Sequence, residues 1–296
     1  MKVARTIVLA TTILAFAAPA AAQVNAHASL GYASASKTFD KDGDRQSQNG
    51  DSSLLAIHLG GAYRFFKGLG VGLDLGVVRV SMDPDTEGAK SSEGFGLQDL
   101  TLGLIWNTIA GPAGELDASF GFAIDFGTKD QDLKTDGSEI PTSDRQHALV
   151  GSIKYTHKVH PLVNLHLRFG FALPLERQED DKNGVKGSKH DAGFVADPSF
   201  GVGYHHPSGF SGGLDIGFFH QSDVSKTVDT TTGKEKTDSA NLFHLTPWIG
   251  WALGPQQHLR LMVAVQDEYA MLGLPLSGKN KEIAVFPVTL GWHGSF

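Results

Sequence analysis

The residues of this chain with chemistry to offer are charged and imidazole side chains set at alternate positions within apolar segments. The acids on this polar parity are Asp74, Asp99, Asp117, Asp125, Asp197 and Asp215, against the bases Lys154, Arg168 and Arg260. Charges withdrawn from bulk water stay ionised only when paired, so the pattern predicts internal ion pairs. Segment ends add Glu115 and Glu268 against Lys37, Arg64 and Lys158, which leaves a modest excess of acid. Seven histidines share the parity: His27, His58, His166, His205, His244, His258 and His293. A metal site needs several ligands converging on one point, and here no H-x-H or H-E-x-x-H spacing occurs. The histidines therefore read as polar lining, with no metal or cofactor expected. On the opposite parity, His220 and Ser222 could pair a base with a nucleophile. No third group is indicated and no G-x-S-x-G elbow is present, so catalysis is not expected.

What must position these residues is a run of strands. Leu69, Val71, Leu73, Leu75 and Val77 alternate with Gly70, Gly72, Asp74 and Gly76, until Val78, Arg79 and Val80 break the phase. This period of two is the strand period, and about a dozen segments from residue 26 onward repeat it. Strands are expected near 24–38, 53–65, 69–81, 94–106, 114–127, 147–158, 162–175, 192–205, 210–221, 241–253, 257–268 and 283–296. The connections alternate between short ones and long polar ones such as DKDGDRQSQNGDS and SKTVDTTTGKEKTDS. A soluble sandwich would explain the period but not the alternating connections. Bacterial outer-membrane barrels have an even strand number, short inner turns and long outer loops. The expectation is an all-β fold, a closed antiparallel transmembrane barrel of about 12 strands, with both mature termini on the short-turn side.

Export fits that reading. Lys2 and Arg5 precede an apolar stretch from Ile7 to Pro19 and an Ala20, Ala21, Ala22 site, a signal peptide over residues 1–22 ahead of a barrel domain over 23–296. Thirty-six Gly and no Cys match neither a helical bundle nor a disulfide-stapled domain. The net charge of −7 carries no basic block, which argues against nucleic acid as a partner. Arg79 falls on the lipid parity near a strand end, where a long side chain can reach the headgroups.

Two segments carry resemblances. The last strand, EIAVFPVTLGWHGSF, places Leu290, Trp292 and terminal Phe296 on one face. It resembles the C-terminal assembly signal of outer-membrane barrels, which implies the barrel-assembly machinery as a partner. GFGLQDLTLGLIW, through Gly96, Asp99, Leu100, Leu102 and Gly103, resembles a segment of the aromatic-degradation-pathway outer-membrane transporter family. Gln98 replaces the usual Gly, and Gly127 and Thr128 stand in reversed order where that family has a Pro-Thr-Gly turn. The resemblance implies a bacterial outer-membrane channel or transporter for small solutes, hydrophobic or aromatic ones included.

The candidate solute path is lined by Asp74, Asp99, Lys154, Arg168, Asp197 and Asp215, with five of them (all but Lys154) forming one charge belt at mid-lumen. A second candidate is the apolar cluster of Tyr269, Met271, Leu272, Leu274 and Leu276 in a long connection, an exposed patch suited to capture of an apolar ligand. Pro198, Pro247 and Pro287 must each delete a ladder hydrogen bond, which predicts bulges or local openings. Partners are membrane lipid and a small solute. A non-conducting adhesive or structural barrel acting through its outer loops remains the alternative, with an outer-membrane lipid hydrolase behind it.

Overall fold

The computed structural model describes residues 23–35, 38–39, 45–46, 51–66, 68–83, 91–109, 114–124, 147–180, 186–190, 192–222, 224–227, 234–237, 240–267, 282–283 and 287–296. The signal-peptide segment, Asp125, Glu268 and the cluster from Tyr269 to Leu276 lie outside these residues.

The alternating segments form twelve long strands: β1 Gln23–Ala35, β2 Asp51–Phe66, β3 Leu69–Asp83, β4 Ser92–Ile109, β5 Gly114–Ile124 and β6 Ala148–His160. They continue as β7 Val163–Pro174, β8 Val195–His205, β9 Phe210–Gln221, β10 Ala240–Gly254, β11 Gln257–Val263 and β12 Val288–Ser295. A short piece, Val265–Asp267, continues the line of β11. Every strand pairs antiparallel with its sequence neighbours, and β12 pairs with β1, so the sheet closes into a barrel with no free edge. Two backbone hydrogen bonds join Val24 and Phe296 at the seam, at 3.1 and 2.7 Å. Short turns can be this tight because Gly68 and Gly209 take φ of 85° and 89°, values that a side chain disfavours.

The register assigns the two faces. His27 on β1 meets Asp74 on β3, Asp197 on β8 meets His244 on β10, and Asp215 on β9 meets Arg260 on β11. Side chains reach past an intervening strand in this way only on the concave face, so this parity is the lumen. The other parity holds nearly all of the exposed large hydrophobics, among them Leu30, Val71, Leu104, Leu167 and Phe120. Outward Tyr63, Trp106, Tyr155, Tyr204, Trp251 and Trp292 all stand toward the short turns, as an interfacial aromatic girdle requires.

Three irregularities bear on the site. Between Leu75–Leu100 and Val77–Leu97, Gly76 of β3 faces both Gln98 and Asp99 of β4, a bulge that keeps Leu97 and Phe95 outward. Phe95 is 75% exposed there, although simple alternation from Thr101 would turn it inward. At Pro198 the β8–β9 ladder loses the pairs between Ala196–His220 and Ser199–Gly217, and at Pro247 the β10–β11 ladder breaks opposite Ala264. Register is unchanged across both gaps, so each proline removes bonds without adding a bulge. The Ala264 N–H instead donates to the Pro287 carbonyl at 2.9 Å.

The long connections are not wholly irregular. Arg177–Asp180, Lys186–His190, Val224–Thr227 and Lys234–Thr237 form a four-stranded sheet that joins two neighbouring connections. Thr38–Phe39, Arg45–Gln46 and Glu282–Ile283 form a three-stranded one. The polar strands of the four-stranded sheet gave no strand signal, because neither face of such a strand has to be apolar, while Thr38 and Ile283 fall at the ends of expected strands 24–38 and 283–296 but pair in a separate sheet.

Candidate solute path

The lumen ion pairs among the described residues fall on two sets of strands, β1 to β3 and β7 to β11. In the first, His27 Nε2 lies 2.5 Å from Asp74 Oδ2, and His58 Nδ1 lies 3.7 Å from Asp74 Oδ1. In the second, Asp197 holds Arg168 at 3.4 Å and His244 at 3.1 Å, while Asp215 holds His166 at 2.8 Å and Arg260 at 3.1 Å. Each of these acids thus has two basic or imidazole partners. Lys154 pairs in register with Asp117 and Arg168, yet no ion pair to it forms among the described residues. Asp117 accepts a hydrogen bond from Asn107 instead, at 2.5 Å. Asp99 sits in the β4 bulge.

Glycine makes these meetings possible. Gly60 on β2 stands between His27 and Asp74, and a Cβ there would collide with both side chains. Gly201 on β8 stands likewise between His166 and Asp215, and Gly217 on β9 lies under His244 where it reaches toward Asp197. A side chain on the middle strand would push each histidine off its acid. The pairing is therefore written partly in the residues that have no side chain.

Trp248 was not singled out by the sequence reading, although it shares the parity of His244. It is buried, packs against Gly213, and carries the Arg260 guanidinium 3.9 Å from its ring centroid. Stacking of this kind adds a cation–π contribution to the Asp215 ion pair and holds Arg260 against the wall. Between the two charged groups the wall is lined by small residues, with Gly72, Gly103 and Gly121 in register across β3, β4 and β5. Outside that row, Leu102, Leu104, Phe120, Phe122 and Leu149 line a shallow groove of about 440 Å³, open to lipid.

The remaining candidates are resolved by contact. Arg79 points outward and is bound by Glu93 at 3.0 Å, so its charge is compensated by a neighbour. His220 Nδ1 meets Asn241 Oδ1 at 2.8 Å, which supplies the third group the sequence did not indicate. Ser222 Oγ, however, accepts the Phe194 N–H at 2.9 Å, and no hydrogen bond joins it to His220. The nucleophile is not held by the base. At the C-terminus, Trp292 and Phe296 share the outward face with ring centroids 6.3 Å apart, while Ser295 points inward and donates to the buried Asn25 at 2.7 Å.

Residues 22–269 match a family model described as "Putative MetA-pathway of phenol degradation". Among solved structures, an outer-membrane channel from Pseudomonas putida F1 is similar at TM-score 0.67 and 15% identity, covering 95% of this chain and 97% of that one. The transport unit of the autotransporter AIDA-I from Escherichia coli is similar at TM-score 0.53 and 13% identity, covering 93% and 90%. Among curated proteins no relative matches.

Proposed function

The chain belongs to the family of the MetA-pathway of phenol degradation, and from that premise we propose that it is a passive outer-membrane channel for small hydrophobic solutes, aromatic ones among them. The observation that carries this reading is the closed twelve-strand barrel whose lumen charges are drawn to two arcs of the wall. The acids Asp74, Asp197 and Asp215, held against the wall by two partners each, do not bar the axis, and the small-residue row between the arcs adds width. The channel fold of the Pseudomonas relative supports the same conclusion. Export through a cleaved signal peptide and insertion by the assembly machinery complete the proposal, resting on residues 1–22 and on Phe296.

The test is electrical. Purified protein in a planar bilayer should carry a small steady ohmic current, and phenol should interrupt it. Absence of any current from folded protein would overturn the channel reading. It would favour the non-conducting barrel, for which the four-stranded sheet between two long connections would then be the working surface.

A further inference from the structure

The lumen has two layers, one rich in charged and amide groups and the other mostly apolar. Toward the short turns the inward positions carry Asn25, Arg64, Asn107, Lys154, His258 and Arg260. Toward the long connections the same parity carries Leu54, Ala56, Val78, Val80, Val150 and Phe219. Register fixes this: Ala56 faces Val78 and Leu54 faces Val80, on the face where Gly60 meets Asp74. Val150 faces Gly121, which in turn faces Gly103. Phe219 stands two positions beyond Gly217, on the face of His244.

Burial marks the same layer. The buried hydrophobic residues among those described are Ala56 at 7%, Val78 at 1%, Ala123 at 4%, Ala148 at 8% and Trp248 at 8%. All but Trp248 are inward residues near the long connections. Leu54, Val80, Val150 and Phe219 stay partly accessible in front of this packed backing. The interiors of water-filled barrels are polar, and a water placed here would find few donors or acceptors. An apolar molecule loses nothing by displacing such water and gains by leaving bulk solvent.

Resting on the channel reading, we propose that this apolar layer is a binding site for a small uncharged aromatic molecule, held in the lumen before the charged arcs. An ion or a sugar would find few partners in the layer, where inward Gln98, Gln221 and Thr289 stand on the same ladders, and would be held more weakly than an aromatic.

The experiment reads interruption of ion current by phenol and by glycerol, two uncharged solutes of unlike polarity. Full-length wild type should be half-blocked by phenol at a much lower concentration than by glycerol. Val80→Thr and Val150→Thr keep side-chain volume but add a hydroxyl, and each should raise the phenol value roughly threefold or more while leaving glycerol unchanged. Val71→Thr, on the outward face of β3, should change neither. Heat-modifiable gel mobility reports folding, and Leu54→Asn at the accessible edge of the layer replaces any variant that fails to fold. Equal block by both solutes, or Thr variants with the wild-type phenol value, would overturn the inference and leave the channel standing. No current from any folded form would remove the channel reading itself.

Discussion

Asp197 shows what a single lumen residue decides. It neutralises Arg168 at 3.4 Å and accepts from His244 at 3.1 Å, so both lose their shared acid together. Asp197→Ala should leave Arg168 and Lys154 side by side in register without that acid and move the reversal potential in a salt gradient toward anions. An unmoved potential would place this group off the conducting path. The spacer glycines make a second, steric prediction: Gly60→Val should displace His27 from Asp74 and cost about 1 to 3 kcal/mol in urea unfolding. Gly72→Ala should be tolerated, since its Cβ would meet Ile105 at an ordinary 3.4 Å. The charges themselves were legible in the sequence as inward acids and bases. The Arg168–Asp197 pair between neighbouring strands was legible too, but His27, His244, His166 and Arg260 each meet an acid two strands away, and that match depends on shear rather than on local pattern.

At the scale of the element, period two was enough to place all twelve strands close to where they lie, because one face must be apolar wherever lipid touches it. It failed where that constraint lapses, in the short polar strands of the long connections, and where a bulge resets the phase at Gln98–Asp99. The apparent break of phase at Val78, Arg79 and Val80 had another cause: the strand continues regularly, and the lumen itself becomes apolar there. β12 is the element with the most specific sequence. Phe296→Asp keeps the backbone bonds to Val24 but loses the ring beside Trp292. Its folded yield in cells should fall several-fold, with Phe296→Tyr near wild type, as heat-modifiable mobility would show. Near the interface a charge on the lipid face costs only about 0 to 1 kcal/mol. Protein refolded from urea should therefore lose little stability, which separates failed recognition from failed folding. Ser295 is no neutral comparison for this change, because its hydroxyl satisfies the buried Asn25.

For the whole molecule the order of the two lumen layers matters only through orientation. With the long connections outside, a solute arriving from the medium meets the apolar layer first and the charged arcs second, so an uncharged aromatic is retained before the polar step. Inverted, the same barrel would present its ion pairs to the medium and its apolar layer to the periplasm, and capture would come after the barrier. The aromatic girdle near the short turns is compatible with either direction, so orientation needs a chemical test. The chain has no cysteine, which makes single thiols readable. Ala192→Cys lies exposed in a long connection and Ser208→Cys in the short turn between β8 and β9. On intact cells a membrane-impermeant maleimide should label the first within minutes and reach the second only after the outer membrane is opened. The opposite pattern would turn the barrel over, and with it the sequence of steps by which an apolar solute enters.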